Sequence, residues 1–476
     1  MNKYKKLAMN TGVFAIGSFG SKILVILLTR LYSRNLDPTS SGIKELLEPT
    51  ALFLQPIFTF ALQEYLIRFG LDKNYDKREV FTTSGLITLA GMLIMAIIVP
   101  ILSLLPVMSY IRGYTILLVI YVTTSSIRML CQQFVRSRDM VKLFSLDGIL
   151  ATLTLFLFNL LFIAVFHWGV TGFMLAVILS DLLSSIFLFV IADLRRFARP
   201  EYFNLKLGKE MMRYAAPLIP TIVMWTITSL SDRMFIQNMK SDRVQLGGTS
   251  LAIYGYANRI PNLISMVSTI FFQAWNMSAI TENDSADRSE FYEKVYNAYE
   301  AILFIASAGL LLIIKPLTGF FVVSSNYKEY ADVYLFTPIL VSAVLFMSLN
   351  QFLGSIYSAT KHTKNSFWSA LVACSVNIVL NIALIPEWGI QGASIATFLS
   401  YYVCFWIRII DTRYYVPFKF NMVRSLINTT LLFIMAWTII AAPRFWIPCL
   451  LALFLAVVGL NYKSLLLTAN KLLRRR

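Results

Sequence analysis

An all-α protein that threads a membrane about 14 times is the fold class this sequence predicts. Three observations predict it: 57% of the 476 residues are hydrophobic, only 14% are charged, and most cations fall between long apolar stretches. Soluble domains carry about 25% charge, and a mean hydropathy of +0.67 fits a chain solvated by lipid. The net charge of +17 raises nucleic acid as a partner, but nucleic-acid binders gather charge on a soluble face. Cations on the loops of a membrane protein account for it instead, and no nucleic-acid partner is expected.

About 20 apolar residues suffice to cross a bilayer. Segments of that kind lie at 11–31, 43–67, 80–105, 112–134, 145–166, 169–192, 214–238, 250–278, 296–320, 330–358, 366–385, 388–410, 423–442 and 445–466. The even count puts both termini on one side. With that side taken as cytoplasmic, 29 of the 42 cations, Arg408 and Arg424 among them, fall on inside segments. Eight fall on outside turns: Arg30, Arg34, Arg112, Lys240, Arg243, Lys315, Lys328 and Arg444. The excess supports termini inside. The opening MNKYKKLAMNTG has a basic flank but no small-residue cleavage site after its apolar run, so it reads as the approach to a retained first span. Cys131, Cys374, Cys404 and Cys449 are widely spaced in apolar surroundings and read as small core residues, with neither disulfide nor metal expected.

The chain repeats itself. His167–Asp181, HWGVTGFMLAVILSD, aligns without a gap on Glu387–Tyr401, EWGIQGASIATFLSY, setting Trp168 and Gly169 on Trp388 and Gly389 and Gly172 on Gly392. A weaker match sets LLTRLYSRN, from Leu27, on SLSDRMFIQN, from Ser229, so that Arg30 falls on Arg233. Two six-helix lobes at 1–192 and 214–410 are expected. A cytoplasmic linker at 193–213 joins them, and a further helix pair with a basic tail occupies 411–476. Repeats of even helix number keep one orientation, as in transporters with a cavity between lobes.

The opening NTGVFAIGSFGSKILVILLTRLYSRNLDPTSSG, the Trp-Gly hairpins and the 6+6+2 layout resemble bacterial polysaccharide (O-antigen type) flippases. These belong to the multidrug/oligosaccharidyl-lipid/polysaccharide exporter superfamily, which also holds the multidrug and toxin extrusion (MATE) transporters and the lipid II flippase. The resemblance covers essentially the whole chain. It implies a MATE-like pair of lobes around a cavity that opens alternately to each side. The implied cargo is a polyprenyl-diphosphate-linked oligosaccharide, moved from the cytoplasmic to the outer leaflet of the bacterial plasma (inner) membrane for cell-surface polysaccharide biosynthesis. It also implies a multi-pass protein working beside other components of a polysaccharide assembly pathway. One departure stands out: DPTSSG, Asp37–Gly42, replaces the family's aromatic or Tyr-Gly ending, and Lys44, Glu45 and Glu48 follow at once.

A diphosphate head group needs cations in a wet cavity at membrane depth, where guanidinium groups grip phosphate oxygens bidentately. Lys22 and Arg30 on the first span, Arg233 on the seventh and Arg259 on the eighth are the candidates, with Asn258 and Asn262 as sugar-facing polar groups. The eighth span is unusually polar through these and Tyr254, Tyr256, Gln273, Trp275 and Asn276. Against this stands the structural reading, in which each cation reaches an interface or pairs with a carboxylate to hold helices together. Glu64 and Asp181 are lone acids in apolar context, candidates for coupling to H+ or Na+. Glu64 has a plainer use, pairing with Arg68 one turn on. Lys44 and Glu48 are four apart and should pair within one helix. Pro49, Pro56, Pro217, Pro220 and Pro261 should bend their spans.

Two other functions compete. A cation-coupled multidrug extrusion antiporter of the same fold would carry a net acidic cavity. A membrane polymerase or glycosyltransferase would need an outside domain with acidic or His residues, whereas the sequence offers only His167 and His362 and no long outside loop. No nucleophile–base pair, metal cluster or phosphate-cradling glycine motif is visible, so no enzyme, metal or cofactor is expected.

Overall fold

A computed structural model describes residues 24–281, 287–322, 327–360, 362–442 and 445–473. It is helical throughout. After α1 (24–35) come α2 (Pro38–Phe58), α3 (Leu62–Leu71), α4 (Lys77–Leu102), α5 (Thr115–Ser137), α6 (Val141–Asn159), α7 (Gly169–Ile191), α8 (Leu205–Ala215) and α9 (Ile219–Asn238). Then follow α10 (Gly248–Arg259), α11 (Asn262–Thr281), α12 (Arg288–Leu312), α13 (Ile314–Phe321), α14 (Val333–Ala359), α15 (Thr363–Tyr415), α16 (Met422–Ala441) and α17 (Trp446–Leu473).

Among the described residues nine helices are long and apolar enough to cross a membrane, ten if α8 and α9, bent by 51° at their junction, form one span. Lys364–Tyr415, 52 residues, would be about 78 Å long as one rod, more than twice the hydrocarbon thickness. It breaks at Gly389, which takes φ +55° and ψ −129°. Gly169 takes φ +55° as well, so the two glycines aligned in the sequence repeat share one left-handed device. α2 is less apolar for a local reason: Lys44, Glu45 and Glu48 lie within its 21 residues.

The other breaks follow the prolines. α2 runs through Pro49 but ends two residues after Pro56, and Phe60 and Ala61 turn left-handed before α3. Pro217 lies in the gap between α8 and α9, and Pro261 in the gap between α10 and α11. In each case the ring removes a backbone donor and crowds the preceding turn.

The chain packs as two compact units. The first runs to Asn238 and includes Leu246–Ala252. Its core gathers Leu62, Tyr65 and Phe69 of α3, Phe134 of α5 and Leu188 of α7. Into the same core α8 inserts Leu207, Met211 and Ala215, one turn apart, while Leu205, Lys206 and Lys209 stay exposed. α9 packs on α2 and so belongs to this unit. The second unit holds Met239–Gln245 and the chain from Ile253. There α14 lies against α15, and α17 lies along α12. Of the cysteines, Cys131, Cys374 and Cys404 are buried; Cys449 is exposed on α17 and is not a core residue.

The entry to α2 rests on the segment that departs from the family pattern. Asp37 caps the helix, its carboxylate accepting from the Ser40 amide at 3.0 Å, and Pro38 opens the first turn. Gly42 then passes so close to Gly248 that a Cβ would overlap the Gly248 carbonyl oxygen. A backbone oxygen cannot rotate aside, so Gly42→Leu should destabilise the protein by about 1–3 kcal/mol. The expected result is a lowered melting temperature of the detergent-purified protein; an unchanged one would refute the close approach.

Candidate functional site

Two buried charge clusters organise the first unit. In one, Lys44 Nζ of α2 lies 2.8 Å from Glu48 and 3.3 Å from Glu45. The same ammonium stands 4.8 Å over the rings of Tyr32 (α1) and Phe173 (α7), so two aromatic faces add cation–π attraction to the ion pairs. Glu45 also faces Arg233 of α9 at 3.7 Å, and Arg233 donates to the Ser229 carbonyl at 2.7 Å. Charges of both signs thus meet across α2 and α9. The Lys44–Glu48 pairing follows the sequence expectation; Glu45 reaching across to Arg233 does not appear in the helical spacing of either residue.

The second cluster joins α5, α6 and α7. Arg128 donates to Asp181 at 3.1 Å, to Asp147 at 3.4 Å and, through Nε, to the Ser184 hydroxyl at 2.9 Å. Gln132 donates to Asp147 at 3.0 Å. Ser125 donates to Asp181 and Ser184 to Asp147. Asp147 is fully buried and Asp181 nearly so. One guanidinium therefore serves two carboxylates. Asp181, read from sequence as a lone acid, has a cation beside it; the overlooked signal was Arg128 inside the fourth span with Asp147 in the fifth and Asp181 in the sixth.

The remaining candidates lie elsewhere. Arg30 is exposed on α1 and shares a groove with Arg34. Arg259 and Asn258 end α10, both half-buried, and the exposed Asn262 begins α11, so the three bracket the Ile260–Pro261 break in the second unit. Asn258 donates to the Tyr254 carbonyl of its own helix at 2.8 Å. Lys22 lies outside the described residues, as do the side chains of Glu64, Gln273 and Asn276.

Two cations counted in the sequence as belonging to inside-facing segments make bonds inside the second unit, Arg408 buried and Arg424 half-buried. Arg408, 3% exposed, donates to the Asn350 carbonyl at 2.7 Å and the Ser369 hydroxyl at 2.9 Å. Arg424 of α16 reaches buried Glu300 of α12 at 2.5 Å and the Ser464 hydroxyl of α17 at 2.6 Å. These bonds, with Asn428 and Asn461 exchanging side-chain hydrogen bonds at 3.2 and 2.8 Å, fasten the last helix pair to α12.

The Arg128 cluster yields an asymmetric expectation. Arg128→Met leaves two buried carboxylates without their cation and should cost about 3–5 kcal/mol. Asp181→Asn leaves Arg128 matched one to one with Asp147 and should cost clearly less. Melting temperatures of the two purified variants test this, and equal loss would count against the shared guanidinium.

The family model for "Polysaccharide biosynthesis protein" matches residues 7–276. An uncharacterized membrane protein of Methanocaldococcus jannaschii, MJ1375, is 27% identical over 259 residues, covering 51% of this chain and 58% of that one. The chain thus spans little more than half the length of that curated relative. Among solved structures, an inward-facing multidrug resistance MATE family transporter of the MOP superfamily matches with TM-score 0.68 and 13% identity, over 87% of this chain and 99% of that one. The lipid II flippase MurJ in an inward closed conformation matches with TM-score 0.65 and 16% identity, over 97% and 99%. The Vibrio cholerae MATE transporter VcmN, as its D35N mutant, matches with TM-score 0.58 and 10% identity, over 88% and 98%. At such identities the likeness establishes the fold, MATE- and MurJ-like. The family match covers more than half of the sequence, and this multi-pass membrane protein belongs to the polysaccharide biosynthesis protein family.

Proposed function

We propose that the protein flips a polyprenyl-diphosphate-linked oligosaccharide from the cytoplasmic to the outer leaflet of a bacterial plasma membrane by alternating access. On this reading it crosses 14 times with both termini cytoplasmic. Lobes at 1–192 and 214–410 do the moving, joined by the linker at 193–213, and the pair at 411–476 lies outside them. Membership of the polysaccharide biosynthesis family supports the glycan. The likeness to MurJ, a lipid II flippase, supports the fold's fitness for a lipid-borne cargo.

The observation that carries the reading is Arg259 at the break between α10 and α11. A discontinuous helix in a transporter presents the positive end of its second half to anionic substrate. Here that end begins at Asn262, with Asn258 and Arg259 immediately before it. Guanidinium, amides and helix terminus together suit a phosphate flanked by sugar hydroxyls. Lys22 and Arg30 are the further substrate-binding cations of this reading, while Arg233 shares its charge with Glu45. Asp181 is proposed for coupling to H+ or Na+, because its cluster holds one carboxylate more than its cation balances. Glu64 is the alternative coupling residue. A drug-extruding antiporter would present acids to its cargo; Glu45, Asp147, Asp181 and Glu300 each face a cation instead.

Loss of a charge-assisted hydrogen bond to a phosphate is worth about 1.5–3 kcal/mol, or about 10- to 150-fold in binding. Arg259→Ala should therefore reduce cell-surface polysaccharide at least tenfold at unchanged protein level in the membrane, with Arg259→Lys retaining more. Wild-type polysaccharide in the Ala variant would overturn the assignment.

A further inference from the structure

A groove of about 310 Å³ lies in the first unit between α4, α5 and the end of α7. Its floor on α4 runs from Phe81 to Leu89, about 12 Å at 1.5 Å per residue, close to the roughly 15 Å of hydrocarbon in one leaflet. Gly85 stands midway along that floor and supplies no side chain, leaving room beside Ile127 and Leu130 of α5 and Phe189 of α7. Both floor hydroxyls are engaged within the protein, Thr88 donating to the Ser84 carbonyl at 2.9 Å and Thr82 to the Phe197 carbonyl. The groove is therefore lined with carbon along its length. It opens onto apolar surface: Leu89 is 49% exposed and Leu93, one turn on, 69%.

One charge borders it. Arg199, exposed, lines the groove together with Ala198 and Pro200, next to Phe197, which Thr82 holds at the start of the floor. The chain around Arg199 sets its place. The Arg138 guanidinium stands 4.8 Å over the Phe197 ring, and Pro200 confines Arg199 to extended backbone, φ −122° and ψ 130°. Glu79, the acid in the first turn of α4, accepts from Asn204 at 2.7 Å.

A cation at the end of a carbon-lined groove of leaflet depth matches an anionic head on a hydrocarbon chain. Arg195, Arg196, Lys206 and Lys209 lie on the same linker, on the side assigned to the cytoplasm, where such clusters attract anionic lipid. A free phosphate would leave the carbon walls bare, and a zwitterionic lipid would bring its own cation to a basic segment.

We propose that this groove holds one acyl chain of an anionic bilayer phospholipid of the phosphatidylglycerol class, its phosphate on Arg199. The lipid is a fixed component of the cytoplasmic leaflet and not the transported cargo, and it ties the linker turn at 197–200 to α4 and α5. Its assignment to that leaflet rests on the topology of the transport reading; the groove and its preference for an anionic lipid do not.

The test is photo-cross-linking of the full-length protein in detergent with phosphatidylglycerol or phosphatidylcholine carrying the same diazirine-bearing acyl chain, followed by peptide mapping. Phosphatidylglycerol should label 81–89 and 127–131 about tenfold more than phosphatidylcholine does. Arg199→Gln should abolish that preference. Gly85→Leu, whose Cβ would meet the Leu130 side chain at an ordinary 3.6 Å, should lower labelling of both segments about tenfold while 93–101 stays labelled. Equal labelling by the two lipids, an undiminished preference in the Arg199 variant, or undiminished labelling in the Gly85 variant would overturn the site. So would displacement of the probe by undecaprenyl phosphate at lower concentration than by unlabelled phosphatidylglycerol, which would make a carrier lipid the occupant. The leaflet is read separately, from reaction of Lys206→Cys, in a Cys449→Ser background, with a membrane-impermeant maleimide. Access from the cytoplasmic face is expected; access from outside would overturn the leaflet assignment and the transport topology with it.

Discussion

Charge inside an apolar bundle must be neutralised where it is buried, and the helix arrangement within each unit depends on how that is done. An ionised side chain near the bilayer centre costs about 2.5–3.5 kcal/mol even on the mildest scales. Lys44 meets that cost with Glu45, Glu48 and two aromatic faces, Arg128 with two aspartates and Arg424 with Glu300. Buried pairs of this kind add little net stability compared with apolar packing, since desolvation offsets the attraction. Their effect is to penalise wrong neighbours. α9 set on any helix other than α2 would separate Arg233 from Glu45, and α16 docked anywhere but on α12 would leave Glu300 buried beside no guanidinium.

The polar entry to α2 takes its sense from this constraint. Asp37 and Pro38 start the helix, Gly42 lets it run against Gly248, and the next residues deliver Lys44 and Glu45 to the ion cluster. A bulkier residue at 42 would lift α2 away from Gly248 and stretch the contact between Glu45 and Arg233. The segment that departs from the family's usual ending is thus explained by packing and charge balance within one unit.

Hydropathy and breaker residues carried most of the fold. Apolar runs placed the helices, prolines marked the gaps before α3, α9 and α11, and the Trp-Gly repeat marked two glycines that share φ +55°. Those signals are local, and they survive folding because lipid leaves a spanning backbone no choice but to satisfy itself. The site was less legible. Arg128 and Asp181 are 53 positions apart, and no periodicity within either span points to the other. Arg408 was counted among loop cations because a charge near a span end reads as interfacial; it is buried because Asn350 on α14 and Ser366 and Ser369 on the other arm of α15 supply acceptors that no single segment displays.

Exposure sorts the cations better than depth along the sequence does. A cation that binds cargo must exchange water for ligand, so it must be reachable when the ligand is absent, whereas a structural cation gains from permanent exclusion of water. Lys44 and Arg408, 2% and 3% exposed, belong to the second kind. Arg30 is exposed and Arg259 half-buried, so both meet the condition set for the cations proposed to hold cargo. Arg233 stands between them, its side chain 13% exposed and 3.7 Å from a carboxylate. That gradient gives α1 a double character: one face carries Tyr32 against the Lys44 ammonium, and another carries Arg30 and Arg34 into a groove. The face that carries Tyr32 ties α1 to the ion cluster, so Arg30 and Arg34 project from a helix that is held on its other side.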